Sequence, residues 1–240
     1  KRPHIGSSSL VFGPERCNMK LGVLKEPDGE MRVPIVPNSI PKLMKAGIQV
    51  IVENGAGERA NHPDSEYENK GAIIANREEV LQCESLITIN APNLGDITSG
   101  CTLMCVADPF RNPGLVKVAI SSGITLISMD MIPRRLSRAQ SMDVNSSQDN
   151  LSGYKAVLLG ASHVPKGIPM MTTSAGTVKP AKFVIMGSGV AGLQAIATAK
   201  RMGAIVYASD VRKSAAEQIE SVGGRFIEVD GMDDFEDESG

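Results

Sequence analysis

Six residues form the strongest chemical pattern in the chain. Gly187-Ser188-Gly189-Val190-Ala191-Gly192 reads G-x-G-x-x-G. Such runs are common in tight turns, so the meaning rests on the flanks. The apolar AKFVIM, a buried-strand composition, leads into it, and the alanine-rich VAGLQAIATAKRM, a helix composition, follows. A second apolar run, AIVYASD, ends in an acid at Asp210, 18 residues after Gly192. Strand, glycine turn, helix, strand and acid in that order form a dinucleotide-binding unit. Gly187 permits the tight turn, Gly189 lets a pyrophosphate approach the backbone, and Gly192 lets the helix pack on the strand. The helix start offers free N–H groups and partial positive charge to phosphate. Asp210 can accept hydrogen bonds from ribose hydroxyls, which favours NAD over NADP. Arg212 can meet a 2′-phosphate, or it can pair with Glu217 or with the dipole of the next helix. Asp210 would repel that phosphate, so the pattern favours NAD.

A second constellation is Arg135-Leu136-Ser137-Arg138-Ala139-Gln140-Ser141-Met142-Asp143, with Ser146 and Ser147 beyond it. On a continuous helix Gln140, Asp143 and Ser147 fall at i, i+3 and i+7 and share a face. Arg135 and Arg138 lie just before them. Guanidinium, amide, carboxylate and hydroxyl together can bind a ribose or a carboxamide. The same residues can equally make a solvated helix start with Arg–Asp pairs, and spacing alone leaves both readings open.

These residues need elements to hold them. KLGVL, GIQVIVEN, SLITINAP, CTLMCVAD and ITLISMD read as short strands. Helical segments such as IPKLMKAG, SEYENKGA and NPGLVKVAISSG fall between them, the last with Pro at its start and Gly123 at its end. Alternating strands and helices predict βαβ units and a parallel sheet. The fold class is therefore α/β, with two lobes. Residues 1–19 read as an arm or linker and 20–135 as the first lobe. Residues 136–179 read as a connecting helix, through Leu151, Tyr154, Leu158 and Ala161, followed by a loop. Residues 180–240 read as the nucleotide lobe, with KSAAEQIESVGG as a helix and RFIEVD as its third strand.

Composition narrows the class further. The 240 residues are 42% apolar, lack Trp and carry 25 bases against 27 acids, a formal charge of −2. Collagen, long disorder and a disulfide scaffold are excluded, and the near-neutral charge argues against a nucleic-acid partner. The acids crowd the end: Glu228 to Gly240 holds seven acids and no Lys or Arg, the pattern of a solvated tail. Cys17, Cys83, Cys101 and Cys105 make no CxxC, and CTLMCV is the setting of core thiols. His4, His62 and His163 are widely spaced, so no metal site is expected. No apolar run approaches a bilayer span, and a soluble chain is expected.

The segments RRLSRAQSMDVNSSQDNLSGYKAV and PMMTTSAGTVKPAKFVIMGSGVAGLQAIATAKRMGAIVYASDVR together resemble the NAD(H)-binding domain I of the proton-translocating NAD(P) transhydrogenases, the N-terminal part of their alpha subunit. GVLKEPDGEMRVPIVPNSIPKLMKAGIQVIVENGAG is similar both to that family and to its relative alanine dehydrogenase. The resemblance runs from about Lys20 to Asp230, and Arg138 to Asp143 is its specific part. It implies two Rossmann-like lobes with NAD(H) in the cleft. The family's RQD loop matches Arg135, Gln140 and Asp143, with Ser146 at the matching serine, on the ribose and nicotinamide side of the cofactor. Ser141, Met142 and Val144 lie in the same stretch. Val190 matches the glycine-loop position beside the cofactor, and Asp210, Val211 and Arg212 match the adenosine-ribose site.

The resemblance further implies direct hydride transfer from NADH to NADP+ on a separate domain III, coupled to proton translocation by a transmembrane domain. It also implies a homodimer, and a place as a peripheral domain of an inner-membrane enzyme, in mitochondria or the bacterial plasma membrane. The alternative is an NAD-dependent amino-acid dehydrogenase of the alanine type. That relative uses an Arg, a Lys and a His at the substrate. Arg32 matches the Arg, but the Lys position falls at Asn90 and the His position at Asp108, so no proton donor for imine chemistry remains. Three strands after Ala181 make one mononucleotide half, and the second lobe is expected to be incomplete at Gly240.

Overall fold

The computed structural model describes residues 19–133 and 136–229. Arg135, nearly all of the expected arm and the acids from Asp230 onward lie outside them. The chain divides into two compact units, Lys1–Met142 and Asp143–Gly240.

The first unit alternates as the sequence predicts. In chain order it holds β1 (Met19–Val23), α1 (Ile40–Lys45), β2 (Ile48–Glu53), α2 (Asp64–Asn69) and β3 (Ile73–Ala75). There follow α3 (Arg77–Leu81), β4 (Ser85–Asn90), β5 (Thr102–Val106), α4 (Pro113–Ser121) and β6 (Thr125–Ser128). All strand pairs are parallel, in the order β3-β2-β1-β4-β5-β6. The order reverses between β1 and β4, the switch point where open α/β sheets leave a crevice at the strands' carboxyl ends. Val23, Val52, Leu86 and Leu103 are wholly buried, as expected of strands covered on both faces. Cys83, Cys101 and Cys105 are free, buried thiols, and burial pushes all three upward, Cys105 to about 12. Local signals start the helices. Pro113 opens α4 behind an Asn112 cap. Asn76 and Glu79 form a reciprocal capping box on α3.

The second unit holds α5 (Val144–His163), β7 (Met171–Thr173), β8 (Gly176–Val178), β9 (Lys182–Met186) and α6 (Val190–Arg201). It continues with β10 (Ile205–Ser209), α7 (Ala215–Ser221) and β11 (Arg225–Phe226). Its parallel sheet runs β11-β10-β9. Ile196, Ala199, Val206, Ala208 and Ile219 make its core. Gly153 sets the α5–α6 crossing, since a Cβ there would stand 2.1 Å from the Ala191 carbonyl oxygen. The helices therefore approach to backbone contact.

The connecting helix starts at Val144, where Asp143 caps it with a side-chain bond from the Ser146 N–H. Beyond this helix two expectations need correction. The stretch expected as plain loop after it contains an antiparallel hairpin, β7 with β8. Thr173 Oγ1 takes the Ala175 N–H across its turn, and Gly176 supplies φ +131. RFIEVD is a strand only over Arg225–Phe226. Among the described residues no helix is long and apolar enough to cross a membrane.

Candidate functional site

The glycine run lies between β9 and α6. Gly187 has φ +91, a left-handed value that a side chain would strain. Its N–H donates to the Ser209 carbonyl at 2.8 Å, which ties the turn to the end of β10. A Cβ at Gly192 would stand 1.9 Å from the Gly187 carbonyl oxygen, so only glycine lets α6 pack this close to the turn. Gly189 caps α6 at φ −66, ψ −171, with no side-chain capping bond. Cβ atoms built at Gly187 and Gly189 meet nothing within 4 Å. The turn thus leaves open space beside an uncapped helix start, and a side chain would fill it. These are the demands of a pyrophosphate against a helix N-terminus, and the residues present fit that group. Val190, the first residue of α6, is half-buried beside the turn.

Asp210 stands directly after β10, and its side chain is only 6% exposed. Its Oδ2 accepts the Ser188 N–H at 2.6 Å and the Ser188 hydroxyl at 2.7 Å. Its Oδ1 accepts the Arg212 N–H at 3.0 Å and Arg212 Nε at 3.1 Å. Burial pushes this carboxyl upward, but the bonds from Arg212 and Ser188 outweigh it and hold the group well below the usual carboxylate range. Asp210 is therefore a fixed anion at the mouth of the glycine turn. Arg212 pairs with Asp210 itself, where the sequence offered Glu217 or the next helix as partners. Val211 is exposed. Ser188, 1% exposed, is the residue that sequence reasoning passes over. It stands at an unspecified position of the motif, and its partner is 22 residues away.

The second constellation straddles the division of the chain. Gln140, Ser141 and Met142 form a single 3-10 turn, and with Arg138 they are exposed. Asp143 leaves the helical region at ψ 92 before α5 begins. A continuous helical face through Gln140, Asp143 and Ser147 is thus absent. Asp143 instead organises its own neighbours, accepting the Ser146 N–H at 2.9 Å and the Ser146 hydroxyl at 2.6 Å. The Ser147 hydroxyl donates to its carbonyl at 3.1 Å. Val144 opens α5. Arg135 lies outside the described residues.

The first unit has its own crevice, a cavity of about 480 Å³ at the ends of β1, β2 and β4. Its acids are largely consumed by the protein. Glu26 accepts the Ile89 N–H at 2.5 Å and the Asn90 N–H at 3.0 Å, where the β4–β5 register also shifts. Glu53 takes the Lys25 N–H at 2.8 Å and Arg77 Nη1 at 3.0 Å. Arg32 grips Glu30 through Nε at 2.8 Å and Nη2 at 2.6 Å. Asn90 Nδ2 donates to Glu26 and Glu30 at 3.1 and 3.3 Å. Asp108, at φ +43, pairs with Arg111.

Comparison with known proteins agrees with this anatomy. The N-terminal domain model of "Alanine dehydrogenase/PNT" matches residues 22–152, and its C-terminal domain model matches residues 156–238. The first of the separate parts of the NAD(P) transhydrogenase alpha subunit of Rhodospirillum rubrum is 44% identical over 223 residues, covering 88% of this chain and 58% of that protein. The "Alanine dehydrogenase" of Bacillus subtilis is 26% identical over 219 residues, covering 88% of this chain and 57% of that one. A solved transhydrogenase from Sinorhizobium meliloti superposes with a TM-score of 0.84 at 42% identity, over 87% of this chain and 64% of that one. The chain therefore spans somewhat over half the length of these relatives. Both domain models match in order, and identity to the transhydrogenases exceeds that to alanine dehydrogenase, so the chain belongs to the alanine dehydrogenase/PNT family, on its transhydrogenase side.

Proposed function

We propose that the chain binds NAD(H) on the glycine turn of its second unit and presents it for direct hydride exchange with NADP(H) held on a partner domain. The observation that carries this reading is the open glycine turn beside an uncapped helix start, with the Asp210 anion at its mouth. The α6 N–H groups would hold the pyrophosphate, and Asp210 would accept from the adenosine ribose, with Val211 and Arg212 beside it at that end. Arg135, Arg138, Gln140, Ser141, Met142, Asp143, Val144 and Ser146 would hold the ribose and nicotinamide end. Bound NADH supplies the hydride at its nicotinamide ring. Such an exchange moves no substrate proton, so the chain contributes binding, orientation and water exclusion.

The relatives named as transhydrogenase subunits support partners beyond this chain. In this proposal those are an NADP(H)-binding domain III and a transmembrane domain that couples the exchange to proton translocation. The chain then works as a peripheral domain at an inner membrane, within a homodimer. Amino-acid dehydrogenation finds less support. Arg32 is held by Glu30 rather than left to grip a substrate carboxylate. Asn90 and Asp108 stand where that chemistry would need Lys and His. The test is stopped-flow hydride exchange between NADH and an NADP+ analogue with a purified domain III, beside an assay with pyruvate, ammonia and NADH. Exchange in the first assay and none in the second is expected. The reverse pattern would replace this reading with the dehydrogenase one.

A further inference from the structure

A carboxylate offers about four lone-pair positions, two on each oxygen. Asp210 fills four of them from within the chain: Ser188 N and Oγ on Oδ2, Arg212 N and Nε on Oδ1. Its side chain is also 6% exposed. An acceptor so occupied and covered has no position left for a ribose diol. The four donors are not equivalent. Two are backbone N–H groups fixed by the turn and by the chain after β10. The other two, the Ser188 hydroxyl and the Arg212 guanidinium, are side-chain groups that can rotate away.

We propose that the Ser188 hydroxyl and Arg212 Nε are built-in stand-ins for the two adenosine-ribose hydroxyls, and that Asp210 exchanges them for the diol when the dinucleotide binds. This rests on the proposed NAD(H) reading and deepens it. The backbone bonds stay and keep the carboxylate aimed, while the side-chain bonds hold it satisfied in the absence of ligand. The device sets affinity, because both stand-in bonds must break. It also keeps the ligand-free protein from burying a poorly solvated anion, which would be costly.

The sign of the effect separates this from a supporting role. If Ser188 only propped Asp210 in place, removing its hydroxyl would weaken NADH binding. If it is a stand-in, Ser188→Ala leaves a buried acceptor under-satisfied until ligand arrives, so binding tightens, on the order of threefold to tenfold for one hydrogen bond. Arg212→Met should act in the same direction, and both variants should melt at lower temperature without ligand.

Calorimetric titration of NADH into wild type, Ser188→Ala and Arg212→Met decides the matter. A parallel series uses a dinucleotide whose adenosine ribose lacks both hydroxyls. Tighter NADH binding by the variants, absent for the dideoxy analogue, is expected. Unchanged or weaker NADH binding by Ser188→Ala overturns the proposal, and so does an equal gain for the analogue. Asp210→Ala, run alongside, identifies which claim has failed. If it leaves NADH affinity unchanged, the ribose role of Asp210 falls; if it weakens binding while Ser188→Ala does not tighten it, only the stand-in mechanism falls.

Discussion

In both units an acid at the end of the parallel sheet's second strand accepts an N–H from the loop after its first. Glu53 takes the Lys25 N–H and a guanidinium from Arg77. Asp210 takes the Ser188 N–H and a guanidinium from Arg212. The parallel sheets of the two units also run their first three strands in the same order, 3-2-1. They part at the loop itself. After β1 the chain reads Leu24-Lys25-Glu26-Pro27-Asp28, and the buried Glu26 carboxylate reaches across the switch point to β4. After β9 the loop is Gly187-Ser188-Gly189, with open space where side chains would stand. An acid at a strand end therefore does not mark a nucleotide site by itself. In one unit the acid locks a loop filled by side chains, and in the other it borders a loop kept empty by glycine.

The largest expected effect tests the packing half of that contrast. Gly192→Ala places a Cβ on the Gly187 carbonyl, 1.9 Å away, and only a backbone shift can relieve it. We expect a loss of more than about 2 kcal/mol, read as a lower denaturant midpoint for the second unit. An unchanged midpoint would mean that the helix does not need its close approach.

Next comes the paired removal of the two acids. Asp210→Ala should weaken NADH binding by roughly 1.5–3 kcal/mol, as expected for a charge-assisted hydrogen bond. Glu53→Ala should lower the melting temperature and leave the NADH dissociation constant within about twofold. Equal effects on binding would erase the distinction between the units.

Gln140→Asn sharpens the assignment at the nicotinamide end. It keeps the amide and shortens its reach, and a displacement of about 1 Å can cost roughly 100-fold in rate. Hydride transfer to domain III should fall far more than NADH affinity. Equal, small changes in both would return Gln140 to an exposed turn residue.

The smallest effect concerns the first unit. The Arg32 hydrogen bond, opposed by burial, holds Glu30 down from 4.5 to about 2. A carboxyl lowered in the folded state stabilises the fold above its unfolded value. That contribution is lost as the pH falls from about 4.5 through about 2. An NMR titration should place the Glu30 midpoint near 2, and Glu30→Gln should flatten the stability loss across that window. A midpoint near 4.5 would mean that Arg32 is not held as described.

Much of this is legible in the sequence because the signals are local. The strand–glycine–helix run and the acid 18 residues beyond it sit in one stretch of chain, and apolar or alanine-rich composition marks β9, α6 and β10. The Asn76-to-Glu79 capping box is also there to read, as a cap residue and an acid three apart. What stays hidden depends on contacts between distant residues. Glu26 bonds Asn90 across 64 positions, and nothing near either residue announces it. Ser188 is unspecified in its motif and acquires meaning only when β10 brings Asp210 beside it. Asp143 serves two readings, a ligand group and a helix cap, and spacing cannot separate them.

The central claim is that the second unit's glycine turn is where the dinucleotide sits. Gly189 tests it most directly, because a side chain there meets no protein atom within 4 Å and should leave the fold intact. Calorimetric titration of NADH into wild type and Gly189→Val, with melting curves of both, is the measurement. Saturable binding to wild type, none to the variant, and matching melting temperatures without ligand are expected. A folded Gly189→Val variant that binds NADH as wild type does would contradict the claim.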